Sequence, residues 1–216
     1  MQEVENHRAA NQLHSCEFLE AWSTRTAQKI KTFSRGTTHV SVVDSMGNAA
    51  AMTTSNGEGS GYILPGTGIM MNNMMGEDDL HPDGFHACPP GMRVCSMMSP
   101  SILICDKQAK LVLGSGGSKR IRTAITQVIS HLVDFKMDVR KAVEAPRIHW
   151  DGEKIQTEPG FDEKVLRELE QLGTVNPWQE QNVYFGGVHA VVPGVAGAGD
   201  PRRGGNTMQT EFAGEN

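Results

Sequence analysis

At residues 36–37 the apolar pattern of this 216-residue chain changes period. Before that point Ala9, Leu13, Cys16, Leu19 and Trp22 recur every three to four positions, which predicts a helix over roughly residues 3–30. After it, residues 39–43 and 49–53 are short β-prone runs around Asp44-Ser45-Met46-Gly47-Asn48, the signature of a hairpin with a Gly-Asn turn. Thr32 to Gly36 lies between, polar and glycine-ended, as an exposed connector does. Thr37 therefore stands at the head of the first strand, directly behind a flexible segment.

Further on, the glycine-rich stretches 57–61 and 65–68 predict loops. Ser101 to Cys105 and Lys110 to Leu113 predict a second hairpin with Asp106-Lys107-Gln108 between its strands. Gly114-Ser115-Gly116-Gly117-Ser118 then leads into a helix carrying Ile121, Ala124, Ile125, Val128, Ile129 and Leu132 on one face, with Ser118 as its N-cap. Shorter helices are predicted over 139–145, stopped by Pro146, and over 162–172, ended by Gly173. A strand follows over 184–192, and the Gly/Pro-rich tail beyond it reads as loop. Strands grouped with strands and helices with helices give an α+β fold with antiparallel sheet, and disfavour a doubly wound one.

Composition narrows the function classes. With 38% hydrophobic and 21% charged residues the chain is globular, and its formal charge of −5 with no basic cluster argues against a nucleic-acid partner. No apolar run approaches the roughly eighteen residues of a membrane-spanning helix. Cys16, Cys88, Cys95 and Cys105 form no C-x-x-C pair and the histidines no H-E-x-x-H, so neither a metal site nor a cofactor is expected. Cys88 and Cys95 are either a disulfide or free thiols. Methionines cluster at 70, 71, 74, 75, 92, 97 and 98, a set suited to packing or to lining a permissive pocket.

Two features carry chemistry. A threonine hydroxyl is a poor nucleophile without a base beside it. If the chain is cut just before such a residue, the freed α-amine titrates at about 7.7 to 8.0 and lies within reach of that hydroxyl. Gly36-Thr37 fits this requirement, although an ordinary strand start has the same look. Gly116-Gly117 before a helix could point N–H groups at a developing oxyanion, or could be a structural turn; it has neither the Walker spacing nor G-x-G-x-x-G.

The motifs in order are T-T-H-V-S-V-V-D at 37–44, G-N at 47–48, N-N at 72–73 followed by Asp78-Asp79, M-S-P at 98–100, G-S-G-G-S at 114–118, A-P-R at 145–147 and G-D-P-R at 199–202. Together they resemble the small subunit of γ-glutamyltransferases, over most of the chain. The resemblance implies an N-terminal-nucleophile hydrolase fold, a four-layer αββα sandwich, made by autocatalytic cleavage of a precursor between Gly36 and Thr37. Residues 1–36 would be the helical end of the large subunit and 37–216 the catalytic small-subunit domain, the two forming a heterodimer. It further implies γ-glutamyl transfer or hydrolysis of glutathione-like amides, with water or an amino acid or peptide as acceptor, no cofactor, and a periplasmic or extracellular location. The polar start at residues 1–8 is unlike a secretory signal, which leaves either an internal location or a longer precursor.

By the same resemblance Thr37 is nucleophile and, through its amine, general base, with Ser55 tuning it and Gly116 and Gly117 as oxyanion glycines. Asp79 and Ser96 match positions that hold the donor's α-amino and α-carboxylate groups, and Asn73 shapes the same pocket. Asn56 is a candidate for an asparagine that follows the tuning residue, although Gly57 fits a gapless alignment. The sequence departs from the family at Met74, where Glu or Gln is usual, at an extra residue before Asp78-Asp79, and at Met97, where a second serine is usual. The segment between Leu80 and Arg93 is short for a lid, which implies an open site. Alternatives are a related acylase acting on glutaryl-cephalosporin or poly-γ-glutamate amides, and an unprocessed, non-catalytic fragment. His39 is read as a strand residue rather than a base.

Overall fold

The computed structural model describes residues 36–81, 83–85 and 87–210. The helix expected over residues 3–30 lies outside them. Among the described residues no helix is long and apolar enough to cross a membrane.

The first hairpin forms as the alternation predicts. β1 (Thr37–Val43) and β2 (Ala49–Ser55) pair antiparallel, with Thr37 opposite Ser55 and Val43 opposite Ala49. Asp44 closes the turn, its carboxylate accepting the N–H groups of Met46 at 2.9 Å and Asn48 at 2.8 Å. Gly47 supplies the positive φ of 84° that the turn requires. Side chains alternate across the hairpin, so His39 is buried while Val40, Val42 and Met52 face outward.

The second hairpin is tighter than its sequence suggests. β3 (Ser101–Cys105) and β4 (Gln108–Gly116) are joined by Asp106 and Lys107 alone, with φ of 52° and 62°. Two successive positive φ values match the twist of the flanking strands, so Gln108 is drawn into β4. β4 also runs on through Gly114-Ser115-Gly116, which the sequence placed in a connector. β8 (Gly187–Val192) holds it there, pairing from Val112–Val191 to Gly116–Gly187, and β9 (Ala196–Ala198) completes the order β3-β4-β8-β9. The strand expected over 184–192 is thus shorter, because Val183–Phe185 is a 3-10 turn. The tail expected as loop holds β9 and a second such turn at Pro201–Arg203.

One face of this sheet takes helices α1 (Arg120–Val133) and α2 (Val139–Glu144). Leu111, Leu113, Val188 and Ala190 pack there against Ile121, Ala124, Ile125, Val128, Ala142 and Val143. Each fully buried aliphatic side chain contributes about 1.5–3 kcal/mol. The opposite face takes the β1–β2 hairpin, and it does so because β4 has glycine there. A Cβ on Gly114 would lie 2.3 Å from the His39 ring, and one on Gly116 would lie 2.8 Å from the Thr37 carbonyl oxygen. Among the described residues the layers are therefore helix, sheet and sheet, an α+β arrangement with three of the four layers of the expected αββα sandwich. A third small sheet, β5 (Ile148–Trp150), β6 (Ile155–Thr157) and β7 (Val175–Pro177), has its parallel pair β6–β7 bridged by α3 (Glu163–Glu170).

Four buried charges tie α2, β6, β8 and the last turn together. Arg147 Nη2 meets Asp200 Oδ2 at 2.6 Å, while Arg202 meets Glu158 Oε2 at 2.5 Å and Asp200 Oδ1 at 3.2 Å. Their side chains are 0–2% exposed where these pairs form. Asp200 also accepts the Val188 N–H at 2.8 Å and Glu158 the Arg147 N–H at 2.9 Å. Two cations and two anions balance, so the cluster is tolerable only while complete. Asp200→Asn leaves Arg147 short of its counter-charge and should cost about 3–5 kcal/mol by urea denaturation. A loss below about 1 kcal/mol would show the network to be dispensable.

Candidate active site

Thr37 lies at the start of β1, where the ladder still has a partner. Its Oγ1 is 2.9 Å from Ser55 Oγ, directly across the hairpin. Ser55 Oγ also accepts the Gly57 N–H at 3.0 Å, which fixes its rotamer toward Thr37. Gly36 donates to the Gly57 carbonyl at 3.2 Å and accepts from the Asn56 N–H at 3.2 Å, so pairing continues across the bond expected to break. A Cβ at Gly36 would lie 2.8 Å from the Gly57 oxygen, too close for any other residue.

Thr37 and Ser55 open onto a shallow cleft. Asp79, Ser96, Met97 and Gly117, all singled out in the sequence, line it with them. Gly116 sits behind Gly117, against the Thr37 carbonyl. Asn56 and Asn73 are exposed and are not among the lining residues; their backbones pair with each other at 2.8 Å, and Gly57 takes the place in the cleft. Met74, Met97 and Met98 line the cleft, whereas Met70, Met71, Met75 and Met92 are solvent-exposed rather than packed. Cys88 and Cys95 are free thiols.

Two lining residues went unread. Glu77 lies over Gly57, where a Cβ would come 2.8 Å from its Oε1. The sequence offered only the extra residue before Asp78-Asp79 as a signal. Ser118 does not cap α1 as expected; Lys119 occupies the cap position and makes no side-chain cap bond. Ser118 instead takes φ of 55° and turns its hydroxyl to donate to the Asp79 carboxylate. Lys119 Nζ pairs with the other Asp79 oxygen at 3.0 Å. A left-handed serine costs about 1–2 kcal/mol, and the charge-assisted bond to Asp79 offsets it.

The sequence profile of the gamma-glutamyltranspeptidase family matches residues 2–210. The chain belongs to that family. It is 34% identical over 187 residues to the glutathione hydrolase proenzyme of Escherichia coli (strain K12), covering 78% of this chain and 32% of that one. It is 38% identical over 138 residues to the acylase ACY 1 proenzyme of Pseudomonas sp. (strain SE83), covering 63% of this chain and 25% of that one. This chain thus spans about a third or less of these relatives' length. The gamma-glutamyltranspeptidase from Pseudomonas nitroreducens, solved with L-DON, superposes with a TM-score of 0.68 at 32% identity, over 81% of this chain and all of that one. The fold is therefore the N-terminal-nucleophile fold of the gamma-glutamyltranspeptidases. Within it the family motifs divide in two: T-T-H, M-S-P and G-S-G-G-S border the cleft, while A-P-R and G-D-P-R supply Arg147, Asp200 and Arg202 to the buried charge cluster.

Two histidines, one on β1 and one on β8, lie behind the first hairpin. His39 Nδ1 meets Thr53 Oγ1 at 2.8 Å and its Nε2 meets Ser41 Oγ at 2.9 Å. Burial, aided by the nearby His189, lowers its pKa from 6.5 to about 4. Burial also lowers that of His189, against the pull of Asp200. Both rings are neutral at pH 7, and His39, with both nitrogens engaged by hydroxyls of the hairpin, is a strand residue. Because the unfolded chain binds these protons first, their contribution to stability is full above pH 6.5 and is lost as pH falls toward 4. The unfolding free energy should therefore drop over that window, and His39→Gln should flatten the slope whatever its cost at pH 8. An unchanged slope in that variant would contradict a neutral His39.

Proposed function

We propose that this chain is the catalytic part of a γ-glutamyl transferase or hydrolase that becomes active when the Gly36–Thr37 bond is cut. The carrying observation is Thr37 Oγ1, held at 2.9 Å by Ser55 in a cleft that Gly117 also lines at the head of α1. In the reading, the freed α-amine of Thr37 takes the hydroxyl proton as Oγ1 attacks the amide carbon of the donor. The N–H groups of Gly116 and Gly117 receive the oxyanion, each such donor being worth about 10²–10³ in rate. The amine then passes the proton to the leaving nitrogen, the C–N bond breaks, and an ester to Thr37 remains. Water or an amino-acid or peptide amine attacks that ester and regenerates Thr37.

Asp79 and Ser96 are assigned to the donor's α-amino and α-carboxylate groups, with Met97 beside them; Asn56 and Asn73 hold the loop behind Gly57. Residues 1–36 are read as the end of a large subunit and 37–216 as the small-subunit domain, the two remaining together as a heterodimer. A periplasmic or extracellular location accompanies this reading.

A second reading, acylase action on a glutaryl-type amide, is favoured by two observations. Met74, Met97 and Met98 make one side of the cleft apolar, and Asp79 is already engaged by Ser118 and Lys119. Side-by-side rates on γ-glutamyl and glutaryl amides separate the two. In either case Thr37→Ala in the full-length protein should lower the rate on its better chromogenic amide by about 10³-fold or more. An undiminished rate would refute the nucleophile.

A further inference from the structure

We propose that Arg203 is a positioning residue for the nucleophile: its guanidinium holds the Thr37 carbonyl, and its charge keeps the α-amine freed at that residue in the neutral form. This rests on the reading of Thr37 as an N-terminal nucleophile.

The turn that carries Arg203 is fixed from below. Asp200, in the buried charge cluster, caps it by accepting the Arg202 N–H at 2.9 Å, and Gly204 ends it at φ of 61°. Arg203 then runs along a slot on the face of β4 and β8 that exists because two glycines face each other in the ladder, Gly116 and Gly187. A Cβ on Gly187 would lie 2.3 Å from Arg203 Cδ, and one on Gly116 would lie 3.2 Å from its Cζ. At the end of the slot Nη1 donates to the Thr37 carbonyl oxygen at 3.3 Å. Gly116 thereby gains a duty besides any oxyanion role, since any side chain there would push the guanidinium off Thr37.

The charge matters because the amine must be neutral to accept a proton, and a neighbouring cation favours the neutral form. Its own residue's carbonyl is bound by that cation, so the amine sits within one residue's backbone of it. Among the described residues, the other titratable groups on the elements packed about Thr37 are these. His39 on β1 and His189 on β8 are held neutral by burial. β2 has no titratable side chain, and Lys110 lies at the far end of β4. From the cleft side, Asp79 is paired with Lys119, and Glu77 lies over Gly57.

The test is the pH profile of kcat/KM for the mature full-length enzyme on a chromogenic γ-glutamyl amide. Arg203→Gln should move the acid limb upward by about one pH unit, as loss of a cation at this range implies. Arg203→Lys should hold the limb near its wild-type position. If Arg203→Gln does not fold or mature, Gly187→Ala, which forces the stem aside with the charge retained, should move the limb in the same direction. An unmoved limb with activity lost equally at every pH, in whichever of these variants matures, overturns the proposal, as does a Lys variant shifted as far as Gln. Activity surviving in Thr37→Ala removes the underlying reading instead.

Discussion

The close approach of the first hairpin to β4 is the constraint on which the rest depends. A sheet face normally keeps a neighbouring sheet at about 10 Å through its side chains. Here Gly114 and Gly116 remove that spacer at alternate positions, so the His39 ring and the Thr37 carbonyl lie directly on the β4 backbone. The strand that brings Gly116 to Thr37 continues into Gly117 and the head of α1. Thr37, the glycine pair and the helix terminus are therefore set by one packing contact, and no loop has to deliver any of them. The same absence of side chains opens the path for Arg203.

Below that contact, the Arg147–Asp200–Arg202–Glu158 cluster anchors the turn from which Arg203 departs. Two family motifs far apart in sequence, A-P-R and G-D-P-R, thus act together as a scaffold rather than as chemistry. The polar or backbone-donor groups of the cleft are instead Thr37, Ser55, Gly57, Gly117, Asp79, Ser96 and the unread Glu77 and Ser118. Met74, Met97 and Met98 add an apolar side to it.

Legibility followed the length of the pattern. The β1–β2 hairpin carried alternation, Asp44 and Gly47, and it formed where expected. The buried face of α1 carried four matching positions and did likewise. β4 ran past its predicted end because Gly-Ser-Gly has no side-chain pattern to read, and pairing with β8 decided it. β5, β6, β7 and β9 are three residues each, too short for any period. Ser118 was misread because an N-cap signal is local, whereas its partner Asp79 lies 39 positions away. Arg203 gave no signal for the same reason: what defines its role is a pair of glycines on two other strands.

The central claim is that cutting one peptide bond makes Thr37 both attacker and base. Intact mass and N-terminal sequencing of the purified full-length protein test it most directly. The account predicts two chains, one of them beginning at Thr37, with amide-cleaving activity appearing in step with that product. A single uncut chain with full activity would contradict it.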